Sequence, residues 1–239
     1  MHRVDAALGD GRCRPHVAIV KPFKPPAPIA TNSLVGLCVA VQAAVAIGTA
    51  GFGHAVIAEF GLVPERISAA IAGDAPLLPA LATLVSHIFL HSGWLHLGLN
   101  LLFFAWVGRY VEWVTGRWAL VGLFLVGGIV GGIAQFATEP ADMAPIVGAS
   151  GAIAAVFGAY AVLFATSRVA PRRWLGVRVS GEALTALWYA ATWIGLQLLT
   201  GLAFNAGPGM ARIAIWTHIG GFLTGLIVGR WWGKGPRPY

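Results

Sequence analysis

Six polar side chains stand in segments that are otherwise strongly apolar, and these are the groups that could perform chemistry. They are His87, His91, His96, Asn100, Ser150 and His218. The first four follow one another at intervals of four, five and four residues, so that His96 and Asn100 share one helical face. A polar group at membrane depth is costly and commonly faces a protein interior or a water cavity, which makes each of the six a functional candidate.

Metal binding and aspartate chemistry are both disfavoured by the residues present. His87 and His91 have the spacing that places two imidazoles on one face. However, Ile88 stands where the pattern H-E-x-x-H has its glutamate, and no Asp or Glu lies at comparable depth. An intramembrane aspartyl protease would need two aspartates inside apolar spans, and the sequence has none there. We therefore predict no metal site and no aspartate dyad.

A serine nucleophile with a histidine base accounts for the remaining groups. A serine hydroxyl is a weak nucleophile until a hydrogen-bonded base takes its proton, and His218 is the candidate base. Acyl transfer also needs donors for the developing oxyanion. The backbone N–H of Ser150 belongs to the start of a predicted helix, where amides lack intrahelical partners. His96 and Asn100 could supply side-chain donors.

Small residues indicate how the helices that carry the serine and the base approach each other. Two rows of small side chains recur every four residues: Ser150, Ala154 and Gly158, and Gly221, Gly225 and Gly229. Such rows allow close helix contact in lipid, although alone they indicate packing more often than catalysis. Together with the polar groups, they predict direct contact between the two helices.

Composition decides the kind of protein that must position these groups. Only 10% of the 239 residues are charged, 57% are hydrophobic and ten are tryptophan, which is typical of a membrane protein. We predict an all-α, polytopic fold with six transmembrane helices at about 33–52, 94–114, 118–137, 150–166, 183–204 and 213–232. A basic, proline-containing tail at 1–32 and a short tail at 233–239 flank this membrane domain, and the stretch after the first helix is predicted to be a long surface loop.

The basic residues predict the orientation in the membrane. With both termini in the cytoplasm, all of the 16 Lys and Arg residues except Arg66 and Arg212 fall on the cytoplasmic side. The net charge of +7 is therefore explained by topology, and no nucleic acid partner is expected. The 138–145 and 205–210 loops should face the exterior.

At this point the residues resemble the rhomboid family of intramembrane serine proteases, over about 86–229. GASG at 148–151 is similar to the nucleophile motif of the family, with Ser150 as nucleophile. HIGGFLTG at 218–225 resembles its H-x-x-G-x-x-x-G motif, which makes His218 the base. HLGLN at 96–100 matches its H-x-x-x-N motif, so that His96 and Asn100 would stabilise the oxyanion with the Ser150 amide.

The resemblance also implies structural roles for residues near the site. These are His87, His91, Gly148, Gly151, Gly221 and Gly225. Gly108 and Glu112 echo a G-x-x-x-E pattern of the family. The chain departs from the family in two places: Ala82 and Thr83 stand where many members have a Trp-Arg pair, and Ala154 stands where many members have an aromatic residue that packs on the catalytic histidine.

The resemblance implies a six-helix bacterial-type enzyme that needs no metal or organic cofactor. Its substrates would be transmembrane proteins, which enter laterally from the lipid bilayer and are cut near the outer end of a helix through an acyl-enzyme. Trp188 and Trp193 could form the lateral gate or could face lipid. The membrane would be the bacterial inner (plasma) membrane, with the site open to the periplasmic or extracellular side. The alternatives are an inactive rhomboid-like binder of transmembrane clients and a histidine-lined transporter.

Overall fold

Nine α-helices and one short hairpin make up the part of the chain that the structure describes. The computed structural model describes residues 27–165, 170–174, 177–204 and 214–232. The helices are α1 (Ile29–Ile47), α2 (Ala50–Phe60), α3 (Pro64–Ala72), α4 (Leu77–Ser86), α5 (Trp94–Thr115), α6 (Arg117–Thr138), α7 (Ser150–Leu163), α8 (Gly181–Phe204) and α9 (Ile215–Trp232). A 3-10 turn at His87–Phe89 joins α4 to α5, and two antiparallel strands, β1 (Arg172–Trp174) and β2 (Val177–Val179), lie between α7 and α8.

Six of these helices lie on the six segments predicted to span the membrane, with shifted ends. The first helix begins at Ile29, inside the predicted tail, and ends at Ile47. Residues 166 and 213, at the ends of two predicted helices, and residues 1–26 and 233–239 of the predicted tails lie outside the described residues.

The connection after α1 is largely helical, so the prediction of a surface loop was wrong there. Its charged residues favoured the prediction of a loop, although the sequence also contains signals for the ends of short helices. α3 has Pro64 in its first turn and Glu65 next to it, and it ends at Gly73, whose φ of +90° suits glycine. The structure buries Ile67 and Ala70 on one face of this helix, which attaches it to the bundle.

Apolar helices long enough to cross a bilayer are present in the described part of the chain. α1 and α6 meet the length and composition required of a span, and α4 with its 3-10 turn and α5 form a third, bent by 76°. α7 is apolar but has only 14 residues. At 1.5 Å per residue it is about 21 Å long, which is shorter than a bilayer core of roughly 30 Å.

The closest packing in the bundle joins α7 to α9, where glycines meet backbone. A Cβ atom placed on Gly221 would overlap the Gly151 carbonyl oxygen, and one placed on Gly225 would overlap the Ala155 carbonyl oxygen. A Cβ on Gly229 would lie 2.8 Å from Cα of Ala159. The two helix backbones are therefore in direct contact, which lets dispersion contacts accumulate along the whole seam.

The row of α7 that meets these glycines consists of Gly151, Ala155 and Ala159. The sequence-predicted row that begins at Ser150 is thus displaced by one residue, although its Gly158 does contact the backbone at Phe222. The displacement has a physical consequence for the serine. Ser150 lies at the margin of the seam and keeps its hydroxyl free for a polar partner, because Gly151 takes the central position.

A buried carboxylate fastens the start of α1 to the far end of α5. Glu112 accepts hydrogen bonds from the backbone N–H groups of Ala30 and Thr31 and from the Thr31 hydroxyl, each at 2.8 Å. Pro28 stands at the N-cap of α1 and gives no side-chain cap, so Glu112 supplies the acceptor that the helix end requires. The G-x-x-x-E pattern therefore has a structural explanation, with Gly108 leaving room for Thr31.

Glycine-to-alanine substitutions should have different effects on stability in the α7–α9 seam and on open helix surface. Gly225→Ala should lower the free energy of unfolding by about 1–3 kcal/mol, because the added methyl overlaps backbone that cannot move aside. Gly122→Ala on α6 is the matched control, since nothing lies within 4 Å of its Cβ position. Thermal unfolding in the same detergent measures both. Equal stability of the two variants would contradict the backbone seam.

Candidate active site

The serine and the histidine of the predicted dyad are in contact across the α7–α9 seam. Ser150 Oγ lies 2.6 Å from His218 Nε2. Ser150 is the first residue of α7 and is partly exposed, whereas His218 is 7% exposed. A neutral imidazole with its lone pair on Nε2 accepts the serine proton at this distance, which is the geometry a general base requires.

Backbone contacts on both sides of His218 hold this part of α9 against α7. Gly221, one turn after the histidine, rests on the Gly151 carbonyl, while Thr217, before it, fits against the α-carbon of Gly151. His218 Nδ1 is buried and has no hydrogen-bond partner among the described residues. Within that part of the chain, the pair has no third, carboxylate member.

The turn that precedes Ser150 is held by two histidines. Gly148 has φ +130°, a conformation that favours glycine, and its N–H donates to the His87 carbonyl at 3.0 Å. The next N–H, that of Ala149, donates to His91 Nε2 at 3.4 Å. The turn therefore adopts one conformation at the beginning of α7, and this fixes where the serine hydroxyl lies.

The loop before this turn is fastened to the helical connection that follows α1. Leu62 and Ile146 form an isolated antiparallel bridge, with N–H to carbonyl distances of 3.0 and 2.8 Å. The Ser68 hydroxyl donates to the Pro140 carbonyl at 2.7 Å. The helical connection after α1 thus helps to position the nucleophile, because it holds the 139–149 segment.

His87 is anchored by α4, which carries Ala82 and Thr83. Its Nδ1 lies 2.8 Å from the Thr83 carbonyl, and the ring is 1% exposed. Thr83 itself is fixed because its hydroxyl donates to the Ala80 carbonyl at 2.6 Å. His87 can therefore be ordered with Thr83 at this position, because the His87 ring contacts the backbone carbonyl of residue 83 and not its side chain.

His96 points one edge at the nucleophile turn. A Cβ placed on Gly148 would lie 3.0 Å from His96 Nε2 and 3.7 Å from Ser150 Oγ. The His96 ring therefore lies against Gly148 and near the serine hydroxyl. The absence of a side chain at Gly148 allows this approach, because a Cβ there would be too close to the imidazole.

Asn100 lies one turn further along α5 and is engaged within its own helix. Its Nδ2 donates to the His96 carbonyl at 2.9 Å, which uses one of the two amide hydrogens. Among the described residues, the second hydrogen has no hydrogen-bond acceptor and can donate to a ligand. The structure therefore places Asn100 on the helical face that carries His96.

The first turn of α7 offers backbone donors next to Gly148. Ala149 occupies the N-cap, and its methyl group cannot accept a hydrogen bond from the first-turn amides. Such amides lack acceptors inside the helix and carry the positive end of its dipole. The Ser150 N–H therefore belongs to a set of donors suited to an oxyanion.

Two contacts of the site were missed in the sequence. Ser92 Oγ lies 3.0 Å from His96 Nδ1, a pairing that the four-residue spacing could have suggested. Thr217 packs its backbone and methyl against Gly131 and Gly151, which no spacing rule indicates.

No group of three or more His, Cys, Asp or Glu residues suited to a metal ion occurs in the described parts of the chain.

Comparison with known proteins identifies related sequences. A family model described as "Rhomboid domain" matches residues 79–234. The human "Rhomboid-related protein 3" is 32% identical over 149 residues, which cover 61% of this chain and 35% of that protein. The Arabidopsis thaliana "RHOMBOID-like protein 5" is 29% identical over 146 residues, covering 61% and 42% of the two chains. The Yersinia pestis "Rhomboid protease GlpG" is 28% identical over 147 residues, covering 62% and 46%. The matched region is less than half the length of each of these relatives.

Removing the acceptor on His91 should loosen the nucleophile turn. In His91→Phe a buried N–H of Ala149 loses its partner, at a cost of about 1–3 kcal/mol. Amide hydrogen exchange at Ala149 should therefore accelerate by about 10- to 100-fold. His54→Phe, on exposed α2 surface, is the control and should leave this exchange unchanged. Unaltered exchange in His91→Phe would contradict the role of the histidine.

Proposed function

This chain belongs to the rhomboid family and is a multi-pass integral membrane protein, and from that premise we propose that it is an intramembrane serine endopeptidase. Its catalytic residues are Ser150 and His218, and its substrates are transmembrane proteins. The observation that carries the proposal is the 2.6 Å contact between Ser150 Oγ and His218 Nε2. That contact joins a partly exposed nucleophile to a buried base at one end of a helix.

In the first step His218 activates the serine. As Ser150 Oγ attacks the carbonyl carbon of the scissile peptide, its proton passes to His218 Nε2. The carbonyl oxygen becomes an oxyanion over Gly148. The Ser150 N–H, His96 Nε2–H and the free Asn100 amide hydrogen are the donors that stabilise it, each contributing roughly 2.7–4 kcal/mol.

The second half of the reaction releases both products. The tetrahedral intermediate collapses when the C–N bond breaks and His218 gives its proton to the leaving amine. An ester between Ser150 and the N-terminal product remains. His218 then takes a proton from water, whose oxygen attacks the ester, and returns that proton to Ser150 Oγ as the acid product leaves.

The short length of α7 explains how such a site reaches peptide bonds at membrane depth. A helix of about 21 Å leaves its first residue below the surface of a bilayer core of roughly 30 Å. Ser150 begins that helix and remains partly exposed. We infer that water reaches the serine from the side of the 139–149 loop, where Ser92 is exposed and supplies a polar group.

The distribution of charge supports an outward-facing site. Among the described residues, Arg109, Arg117 and Arg230 lie in or near helix ends, and Arg172, Arg173 and Arg178 lie in the hairpin that follows α7. All of these belong to the predicted cytoplasmic side, and Ser150 begins α7 at the opposite end from the hairpin. We place both termini in the cytoplasm and the site toward the periplasm of a bacterial inner membrane.

A lateral route for the substrate helix passes between α5 and α8. Trp193 of α8 stacks on Phe103 of α5, with ring centroids 5.2 Å apart, and also contacts Phe157 of α7. Trp188 is 70% exposed and faces outward. The two tryptophans thus differ: Trp193 closes the α5–α8 interface, and Trp188 is the one suited to contact lipid or an approaching helix.

Cleavage of a single-span reporter tests the proposal. The purified protein should cut a reporter that carries small and helix-breaking residues near its outer end. Ser150→Ala and His218→Ala should each lower the cleavage rate by about 1,000-fold or more, because nucleophile and base act as a unit. A fluorophosphonate probe should label Ser150 in the wild type and should label His218→Ala far more slowly.

Matched variants distinguish loss of chemistry from loss of fold. Ser86→Ala removes a hydroxyl that donates to the Phe60 carbonyl at 2.6 Å, away from Ser150, and should retain cleavage. The Ser150→Ala protein should keep its thermal stability. Equal cleavage by wild type and both dyad variants would overturn the dyad. If the wild type cleaves none of several reporters and still binds them as well as the dyad variants do, the result would favour the non-catalytic binder.

A further inference from the structure

The two ring nitrogens of His96 face different environments, and only one of them faces the nucleophile turn. Nε2 and Cε1 lie against Gly148, since a Cβ built on that glycine would be 3.0 and 2.9 Å from those atoms. Nδ1 lies 3.0 Å from the hydroxyl oxygen of Ser92. Ser92 stands in the short link between the 3-10 turn and α5 and is exposed.

The tautomer of His96 decides whether it can serve an oxyanion. A neutral imidazole carries one N–H, and the other nitrogen has a lone pair that would repel a negative oxygen. An oxyanion over Gly148 therefore requires the proton on Nε2. That tautomer leaves a lone pair on Nδ1. A hydrogen-bond donor to this lone pair favours the Nε2–H tautomer over the Nδ1–H tautomer.

Ser92 has the group that fits this requirement. Its hydroxyl is able to donate to Nδ1 while its own oxygen remains open to water. The other neighbours of His96 use different atoms: the His91 ring meets it edge-to-face at 5.2 Å, and Asn100 donates to the backbone carbonyl of His96. His91 Nε2 already accepts from the Ala149 N–H. Among the described side chains, Ser92 is thus the one that hydrogen-bonds the His96 ring.

We propose that Ser92 is a positioning residue that holds His96 in the Nε2–H tautomer and aims this N–H at the oxyanion that forms beside Gly148 in the proposed reaction. The inference rests on the proposed function for its effect on catalysis. Its structural content, the tautomer of His96, is independent of any reaction. Ser92 does not touch the substrate carbonyl; it acts through the histidine, as a residue behind a metal-bound imidazole fixes the orientation of that ring.

The expected loss is smaller than that of an oxyanion donor. Removing a donor costs roughly 100- to 1,000-fold in kcat. Ser92→Ala keeps the imidazole but lets it exchange tautomers and rotate, with water taking the place of the hydroxyl. We expect kcat to fall by about 10-fold, at the lower end of the effect of an orienting partner, with KM little changed. Ser92→Thr retains the hydroxyl and should restore most of the rate.

A double-mutant cycle with His96 tests the mechanism. The reporter is cleaved by wild type, Ser92→Ala, His96→Ala and the double variant, with Ser86→Ala as a control hydroxyl deletion. If Ser92 acts through His96, then Ser92→Ala has no further effect in the His96→Ala background. A full and additive loss in that background, or an unchanged kcat in Ser92→Ala, would overturn the proposal.

Nitrogen NMR of histidine-labelled protein gives a readout that needs no cleavage. The His96 signal is identified by its loss in His96→Ala. In the wild type it should show a protonated Nε2 and a bare Nδ1, and in Ser92→Ala it should move toward a mixture of tautomers. A wild type that shows this signature but cleaves nothing would refute the proposed function and leave the Ser92 contact established. The same tautomer in both proteins would refute the role of Ser92, whatever the activity.

Discussion

Backbone contact between α7 and α9 is the constraint on which the rest of the site depends. Gly221 and Gly225 lie directly on the carbonyls of Gly151 and Ala155, so the two helices have one separation and one register. Ser150 and His218 sit at the end of that seam, and their 2.6 Å contact follows from it. Lipid offers no strong hydrophobic force between helices, which is why close packing of small residues has to fix the geometry.

A second constraint acts on the turn before the nucleophile. The Gly148 N–H donates to the backbone carbonyl of His87, the Ala149 N–H donates to the His91 ring, and Leu62 bridges Ile146. The two imidazoles are 1% and 2% exposed, and each has one backbone partner. His91 Nε2 accepts from an amide, whereas His87 Nδ1 lies 2.8 Å from the Thr83 carbonyl. Such a partner lowers the cost of burying a polar ring.

Local pattern predicted the elements that carry the chemistry better than their surroundings. The six apolar segments were visible because a bilayer demands long runs of apolar residues. The three helices between α1 and the 3-10 turn were missed because Glu59, Glu65, Arg66 and Asp74 made that stretch look like a loop. The contact row on α7 was displaced by one residue, since a repeat of four allows neighbouring rows and only the partner helix selects among them.

The sequence by itself determined an apolar, multi-helix protein with a serine, a base and polar donors in separate segments, because residue type and spacing are properties of the chain. The tertiary structure decided which atoms meet. It put Ser150 within reach of His218, and it placed Glu112 where it caps the first turn of α1. Those pairings join helices and loops through packing, and no local periodicity encodes the angle or the depth at which two helices cross.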